Sequence, residues 1–497
     1  MDWLGRVTMG GLDILGSLLV MLVLVAAFAV VVLYIIDSRQ TKDAVRHNYP
    51  VIGRFRYLFI HLGEFFRQYF FALDREEMPF NRAERDWIKD VVYKKSASEP
   101  FGSTRNLSVP GTVIFVPGDF ATLDEDAEDC PPVVFGPQTE NPYAASSVIN
   151  VSAMSYGALS KPAVLALSHG AAKAGCWLNT GEGGISPYHL EGNCDLIFQL
   201  GTAKYGARDK EGNFSPDEFV KNASHPQVKM IELKLAQGAK PGKGGILPAE
   251  KVSAEIAAIR GIEKGTASIS ANRHKEIDSF ADLLDFIGKL RELSKKPVGI
   301  KTVFGDEKWI EGLCEEIERR GQDSAPDFIT LDGGDGGTGA APLALLDNVG
   351  LTLKESLPIL IDTLERCGLR DRIKVICAGK LVTPADVAWA YCVGADAVNT
   401  ARGFMFSLGC IQAMRCHSNN CPTGITTHDK RLQQGLNPAR KAIRAANFVE
   451  AIEKDVNVIA HSCGVAHARA LTRAHARIVQ ADGRSVSLAK LYPPVSA

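Results

Sequence analysis

Residues 298–303 read VGIKTV and residues 328–339 read FITLDGGDGGTG. Each is a short apolar run stopped by glycine or polar residues and followed by helical periodicity. Six similar runs accompany them: Val148–Ala153, Trp177–Thr180, Leu196–Leu200, Met230–Leu235, Val375–Ala378 and Ala397–Thr400. Strand signals alternating with helix signals imply a parallel sheet covered by helices, and eight such units in about 260 residues predict an α/β fold, a closed (β/α)8 TIM barrel. In such a barrel the chemistry sits where the strands end, so the residues after each run are the ones to read.

Those residues are MSYG (154–157), NTGEGG (179–184), Gln199, QGAKPG (237–242), Lys301, DGGDGGTG (332–339), Gly379-Lys380 and Thr400-Ala401-Arg402. Glycine-rich loops let backbone amides approach a ligand, and amides near helix starts favour an anion. The loops after the last two strands take the usual phosphate position of a barrel. Lys301 interrupts an apolar strand: facing inward it needs an anionic or electron-rich partner, facing outward it is a solvated strand-end lysine. Gly334–Gly339 matches the dinucleotide fingerprint letter by letter, but it follows the sixth strand and Pro342 comes soon after, which argues against a Rossmann unit.

A sharper cluster is CIQAMRCHSNNCP (410–422), with five residues between Cys410 and Cys416 and four between Cys416 and Cys421. Three thiolates on a short loop closed by proline suit iron and sulfide. Zinc and three simply buried thiols are the alternatives, zinc normally showing a paired Cys-x2-Cys; His417 and Cys463 are candidate fourth ligands. The eleven cysteines are scattered singly through a chain of 497 residues, unlike a secreted disulfide framework, and favour a reducing compartment.

The start of the chain is different. Ile14–Ile36 is a run of 23 uncharged residues, long enough as a helix to cross a hydrocarbon core. The opening MDWLGR lacks the basic start and cleavage site of a signal peptide. Arg39, Lys42 and Arg46 after the run, against Arg6 before it, place the remainder in the cytoplasm by the positive-inside rule. The expectation is a single-pass membrane protein with a cytoplasmic catalytic domain. Aromatics crowd Phe55–Phe71 among charged residues and read either as an interfacial segment or, preferably, as one packing on the main domain. The resulting division is an anchor (1–37), an aromatic-rich extension packing on the barrel (38–140), the barrel with its cysteine loop 410–421 (141–435) and a helical C-terminal extension (436–497). With 56 basic and 57 acidic side chains the net charge is −1, which provides no broad field for nucleic acid.

Five motifs in order, MSYGALS (154–160), NTGEGG (179–184), KLAQGAKPGKGG (234–245), GGDGGTGAAP (333–342) and CIQAMRCHSNNCPTG (410–424), resemble the FMN-binding synthase domain of glutamate synthase. Residues 46–105, with RQYF (67–70) and PFNR (79–82), are similar to the N-terminal segment of stand-alone, membrane-anchored FMN-binding glutamate synthase family proteins. The resemblance implies an oxidoreductase acting at a CH–NH2 centre, with FMN and a [3Fe-4S] cluster, that aminates 2-oxoglutarate reductively to L-glutamate. By the same resemblance Met154, Ser155, Asn179, Gln199 and Lys301 contact the flavin, and Gly379, Thr400 and Ala401 line its phosphate. Glu182, Lys240, Lys301 and Lys204 line the oxoacid pocket, with Glu182, Lys301 and Lys240 catalytic, and Cys410, Cys416 and Cys421 ligate the cluster. No glutaminase segment is expected, so ammonia arrives free or from another protein, and electrons come from an external donor, ferredoxin-like or an NAD(P)H-oxidising subunit. Departures from the family pattern are SANRHK (270–275) in place of a Pro-Pro-Pro-His-His stretch, Lys204 in place of an arginine, and an added carboxylate at Asp332 or Asp335. They keep open another oxoacid or amine as substrate, or an electron-relay module.

Overall fold

All eight runs form strands: β1 (Ile149–Val151), β2 (Leu178–Asn179), β3 (Leu196–Leu200), β4 (Val228–Lys234), β5 (Val298–Thr302), β6 (Phe328–Asp332), β7 (Lys374–Ala378) and β8 (Ala397–Thr400). Each pairs in parallel with the next, and Thr400 of β8 closes the barrel against Val151 of β1. Every residue of β3, β5 and β6 is buried, because inward side chains fill the barrel and outward ones meet the helices. This computed structural model describes residues 3–96, 98 and 100–493, in two units, Met1–Ala83 and Glu84–Ala497.

The strands alternate with α4 (Lys161–Ala174), α5 (Pro187–Glu191), α6 (Pro216–Ala223), α7 (Phe280–Ser294), α8 (Lys308–Arg320), α9 (Leu353–Arg366) and α10 (Pro384–Val393). After β8 come α11 (Arg402–Leu408) and the long α12 (Pro438–Ser462). The start of α4 is set by Ser160, whose hydroxyl accepts from the Ala163 amide at 3.3 Å, and its end by Gly175 at φ +68°. α12 lies tightly on α4: a Cβ at Gly170 would stand 2.7 Å from that of Ala445.

The proline-rich approach to the barrel is more ordered than its composition suggests. Val133–Phe135 and Tyr143–Ala145 form a hairpin flanked by Pro131, Pro132, Pro137 and Pro142. Phe135 is fully buried and meets Trp177 and Phe328 edge-on at 5.8 Å. These rings sit at the N-terminal ends of β2 and β6, so the hairpin packs on the bottom of the barrel, opposite the strand ends where a barrel's chemistry lies.

The C-terminal extension corrects the helical expectation. Beyond α12, Ala476–Val479 and Ser485–Ser487 form strands that join Val113–Phe115 in a three-stranded antiparallel sheet. Asp482-Gly483, with Gly483 at φ +79°, turns the chain between them, and that turn chemistry outweighs the Ala- and Arg-rich composition.

In the first unit α1 spans Trp3–Arg39, α2 Ala44–Asn48 and α3 Gly53–Phe66, and α3 continues into a π-helical turn, Arg67–Phe71. The stretch Gly11–Arg39 is long and apolar enough to cross a membrane.

Candidate active site

The floor of the mouth is built on Glu232, inside β4 and fully buried. Its Oε1 accepts from Asn179 Nδ2 at 2.8 Å and Gln199 Nε2 at 2.6 Å, and its Oε2 from Thr330 Oγ1 at 2.5 Å. One carboxylate thus fixes polar side chains from β2, β3 and β6. Lys301 faces inward, 5% exposed, with Nζ 3.3 Å from Asp332 Oδ2. Burial disfavours its charge, but Asp332, Glu232 and Glu182 outweigh it and hold the lysine above its ordinary pKa. Asp332 also accepts from the Gly238 amide at 3.1 Å. Asn179, Gln199 and Lys301, named from the sequence, are therefore brought together around a glutamate that was not.

Above this floor is a carboxylate among cations. Glu182 Oε1 lies 2.9 Å from Lys234 Nζ. Burial works against its charge, yet Lys234, Lys240 and Arg260 hold the carboxyl below its ordinary range. Close backbone makes the space: a Cβ at Gly245 would come 2.5 Å from Glu182 Oε1, and one at Gly201 2.8 Å from Oε2. Lys240 is 4% exposed and donates to the Gly244 carbonyl at 3.2 Å, and burial lowers its pKa. Arg260 donates from Nη1 to Ser268 Oγ at 2.9 Å and from Nη2 to the Tyr156 carbonyl at 3.3 Å, with Ser155 Oγ at 3.5 Å. Its Nε is buried without a partner, an unmet donor in a site rich in positive charge.

The remaining named residues flank this mouth. Met154 and Ser155 follow β1, and a Cβ at Gly181 would come 2.5 Å from the Ser155 nitrogen, so the β1 and β2 loops touch backbone to backbone. Gly379, at φ +145°, follows β7, where a Cβ would stand 3.3 Å from the Gly333 nitrogen. Thr400 and Ala401 lead into α11, with the Gly403 amide donating to Thr400 Oγ1 at 3.3 Å. Arg402 is beside Asp332 and Asp335, and burial lowers its pKa against their pull.

Cys410, Cys416 and Cys421 share the loop after α11. A Cβ at Gly339 would stand 3.6 Å from that of Cys416, which brings the glycine loop of β6 against the cysteine loop. Lys251, 2% exposed, crosses to this loop and donates to the carbonyls of Cys416 and Thr426, both at 2.7 Å. Burial pushes the Cys410 thiol up to about 11, whereas at Cys421 the hydroxyls of Thr423 and Thr426 overcome burial and hold the thiol below its usual value. Among the described residues, no three His, Cys, Asp or Glu side chains converge to hold a single metal ion. His417 is exposed. The backbone oxygen of Cys463 would lie 2.9 Å from a Cβ at Gly118, and the thiol's electrostatic neighbour is Cys392.

Lys204, read as a substrate-side cation, is ion-paired to Glu276 at 3.0 Å; Arg260 is the guanidinium beside Glu182. The segment 270–275 packs on the β4 loop through the Ser270 amide to the Gly245 carbonyl (2.9 Å) and His274 Nε2 to the Lys234 carbonyl (2.9 Å). Sequence reasoning passed over Glu232, Lys234, Lys251 and Arg260. Glu232 and Lys234 carried a signal, two charges at alternate positions of an apolar strand. Lys251 and Arg260 carried none, since a basic residue in a short polar helix normally points to water.

A closed (β/α)8 barrel with buried cations and carboxylates clustered at its strand ends and a flanking three-cysteine loop defines the class of an α/β-barrel protein. The comparisons take the definition further: residues 103–466 match the family described as "Conserved region in glutamate synthase", and the chain belongs to the glutamate synthase family. It is 38% identical to the glutamate synthase large subunit-like protein YerD of Bacillus subtilis (strain 168), over 92% of this chain and 94% of that one. It is 35% identical to the archaeal glutamate synthase [NADPH] of Methanocaldococcus jannaschii, where the match covers 64% of this chain and 59% of the relative's length. Among solved structures, a flavocytochrome b2 mutant with benzoylformate is similar at a TM-score of 0.46 and 17% identity, over 76% of this chain and 78% of that one.

Proposed function

We propose that this protein is a glutamate-synthase-type flavin and iron–sulfur oxidoreductase that forms L-glutamate from 2-oxoglutarate and ammonia. The observation that carries the reading is Glu182 set among Lys234, Lys240 and Arg260. Three cations and one carboxylate leave a surplus of two positive charges, which suits a dicarboxylate. Arg260, with an unmet Nε donor, and Lys240 would hold the two carboxylates. Lys234 keeps Glu182 ionised, and an ionised carboxylate accepts hydrogen bonds from ammonium or from an iminium N–H.

The mouth fits FMN on two grounds: its strand-end loops bring bare backbone together at Gly181, where a Cβ would meet the Ser155 nitrogen at 2.5 Å, and at Gly379, whose φ of +145° favours glycine, and Lys301 and Arg402 bring positive charge to it. Met154, Ser155, Asn179, Gln199 and Lys301 would hold its ring and Gly379, Thr400 and Ala401 its phosphate. Cys410, Cys416 and Cys421, which share one loop and feel one another's charge, would hold a [3Fe-4S] cluster, each thiolate binding its own iron. When bound, these groups supply hydride and single-electron chemistry. The reaction balances as 2-oxoglutarate, ammonium, two electrons and two protons giving glutamate and water. The electrons come from an external donor, ferredoxin-like or an NAD(P)H-oxidising subunit. With α1 across a membrane and Arg39, Lys42 and Arg46 on the inner side, the barrel works in the cytoplasm.

Steady-state turnover with a reduced viologen dye and ammonium tests the substrate. Glutamate should form from 2-oxoglutarate, pyruvate should be a poor substrate, and Glu182→Gln should lose most of the turnover. Equal rates with pyruvate would remove the dicarboxylate reading.

A further inference from the structure

We propose that α3 and its π-helical extension (Gly53–Phe71) form a second membrane-seated element, lying in the lipid interface beside the exit of α1. This rests on the reading of Gly11–Arg39 as a membrane span.

Along α3 the apolar side chains Phe55, Leu58, Phe59, Leu62, Phe65 and Phe66 recur at i, i+3, i+4, i+7, i+10 and i+11, one stripe of a helix. In a helix that packs on a protein core such a stripe is covered. Here Phe55 is 53% exposed, Phe59 65% and Phe65 50%, and in the following turn Phe70 and Phe71 reach 73% and 75%. Rings line up along it, Phe55 with Phe59 at 6.5 Å and Phe66 with Phe70 at 5.4 Å. Arg54 and His61 border the stripe, His61 with its ring 5.8 Å from that of Phe65, and Arg56, Tyr57 and Ile60 lie on the other side. A contiguous aromatic face of this kind is not left in water by a soluble protein. Aromatic residues opposite basic ones are the composition of a helix lying at the boundary of headgroups and acyl chains.

Two features select lipid as the occupant. Only 13 residues separate Arg39 from Gly53, so α3 begins near the end of the span. The start of α3 is also tied to that point through Asp37, which is fully buried near the end of α1. Asp37 accepts from Arg46 Nη2 at 2.7 Å, from Arg54 Nε and Nη2 at 2.7 and 2.8 Å, and from the Val51 amide at 3.1 Å. Arg54 is the second residue of α3, so the helix is pinned where α1 leaves the bilayer, with its aromatic stripe at headgroup depth. Surface charge on Arg56 and Arg67 would then favour anionic lipid.

The test places the photo-crosslinker p-benzoylphenylalanine in the full chain, one position at a time, at Leu24 in α1, at Phe59 and Phe70, and at Phe120. Phe120 is 90% exposed in the catalytic unit and serves as the control. Each variant is reconstituted in vesicles of phosphatidylethanolamine and phosphatidylglycerol, irradiated and weighed by mass spectrometry. The expected result is a one-lipid mass shift at 24, 59 and 70 and none at 120. A shift at 59 and 70 without one at 24 would remove the span, and with it the placement of α3 beside its exit, while leaving lipid contact at the aromatic stripe. A shift at 24 alone, a crosslink from 59 or 70 to this protein's own barrel or to a second copy, or no shift at any position would overturn the proposal.

Discussion

Lys251 shows how much of the site depends on residues that touch neither ligand nor cofactor. Its ammonium satisfies two carbonyls of the cysteine loop at 2.7 Å each, and its removal leaves two part-buried acceptors without that donor, at up to about 1–3 kcal/mol apiece. Lys251→Ala should lower bound iron and the visible cluster absorption while flavin is retained, measured by iron assay and spectrum on the purified protein; unchanged iron would show that the loop holds itself. Glu232 occupies a similar place on the flavin side. Glu232→Ala would strand Asn179, Gln199 and Thr330, so flavin content should fall, read from the released FMN per chain. Two buried histidines set an acid limit on stability. His189 and His274 are both pushed down to about 4 by burial, and His189 Nδ1 takes the Ser186 amide at 3.0 Å, a role that needs the unprotonated nitrogen. The unfolded chain binds these protons near the ordinary histidine pKa, so between about pH 6.5 and 4 it binds more protons than the fold does. The stabilisation from neutral histidine is full above 6.5 and is lost as pH falls towards 4. Melting temperatures at pH 7.5, 6, 5 and 4.5 should decline in that order, and His189→Gln should flatten part of the slope.

At the scale of elements, the strands were legible because a barrel strand is buried on both faces and appears as an apolar run closed by glycine: β3 and β8 match their sequence runs residue for residue, and β5 within one residue. The hairpin Val133–Phe135/Tyr143–Ala145 was not, since three-residue strands have too little periodicity to rise above their prolines. Its contribution is nonetheless large. Phe135 is fully buried against Trp177 and Phe328, and Phe135→Ala should cost about 3–5 kcal/mol, read as a lower denaturation midpoint with an unchanged slope. The site was legible in the same uneven way. Residues following strands, such as Glu182 and Gly379, could be proposed because the fold says where to look. Arg260 was not, because it arrives from a short helix in the long insertion between β4 and β5, and nothing local in the sequence brings that helix over the mouth. Lys204 was expected at the substrate, and Glu276, outside every motif, holds it.

At the scale of the whole molecule, the barrel is packed with aromatic rings at the N-terminal ends of its strands and gathers buried charge at the opposite ends. In a near-neutral chain, net charge −1, the mouth holds buried charges of both signs side by side, with a cationic surplus only around Glu182. The central claim is that this mouth makes glutamate. It is tested most directly by reducing the detergent-purified protein anaerobically and mixing it with 2-oxoglutarate and 15N-ammonium, following the flavin band by stopped flow and the product by mass spectrometry. The account requires rapid reoxidation with one 15N-glutamate formed per pair of electrons lost. Intact flavin and cluster bands that stay reduced, with no labelled glutamate, would contradict it.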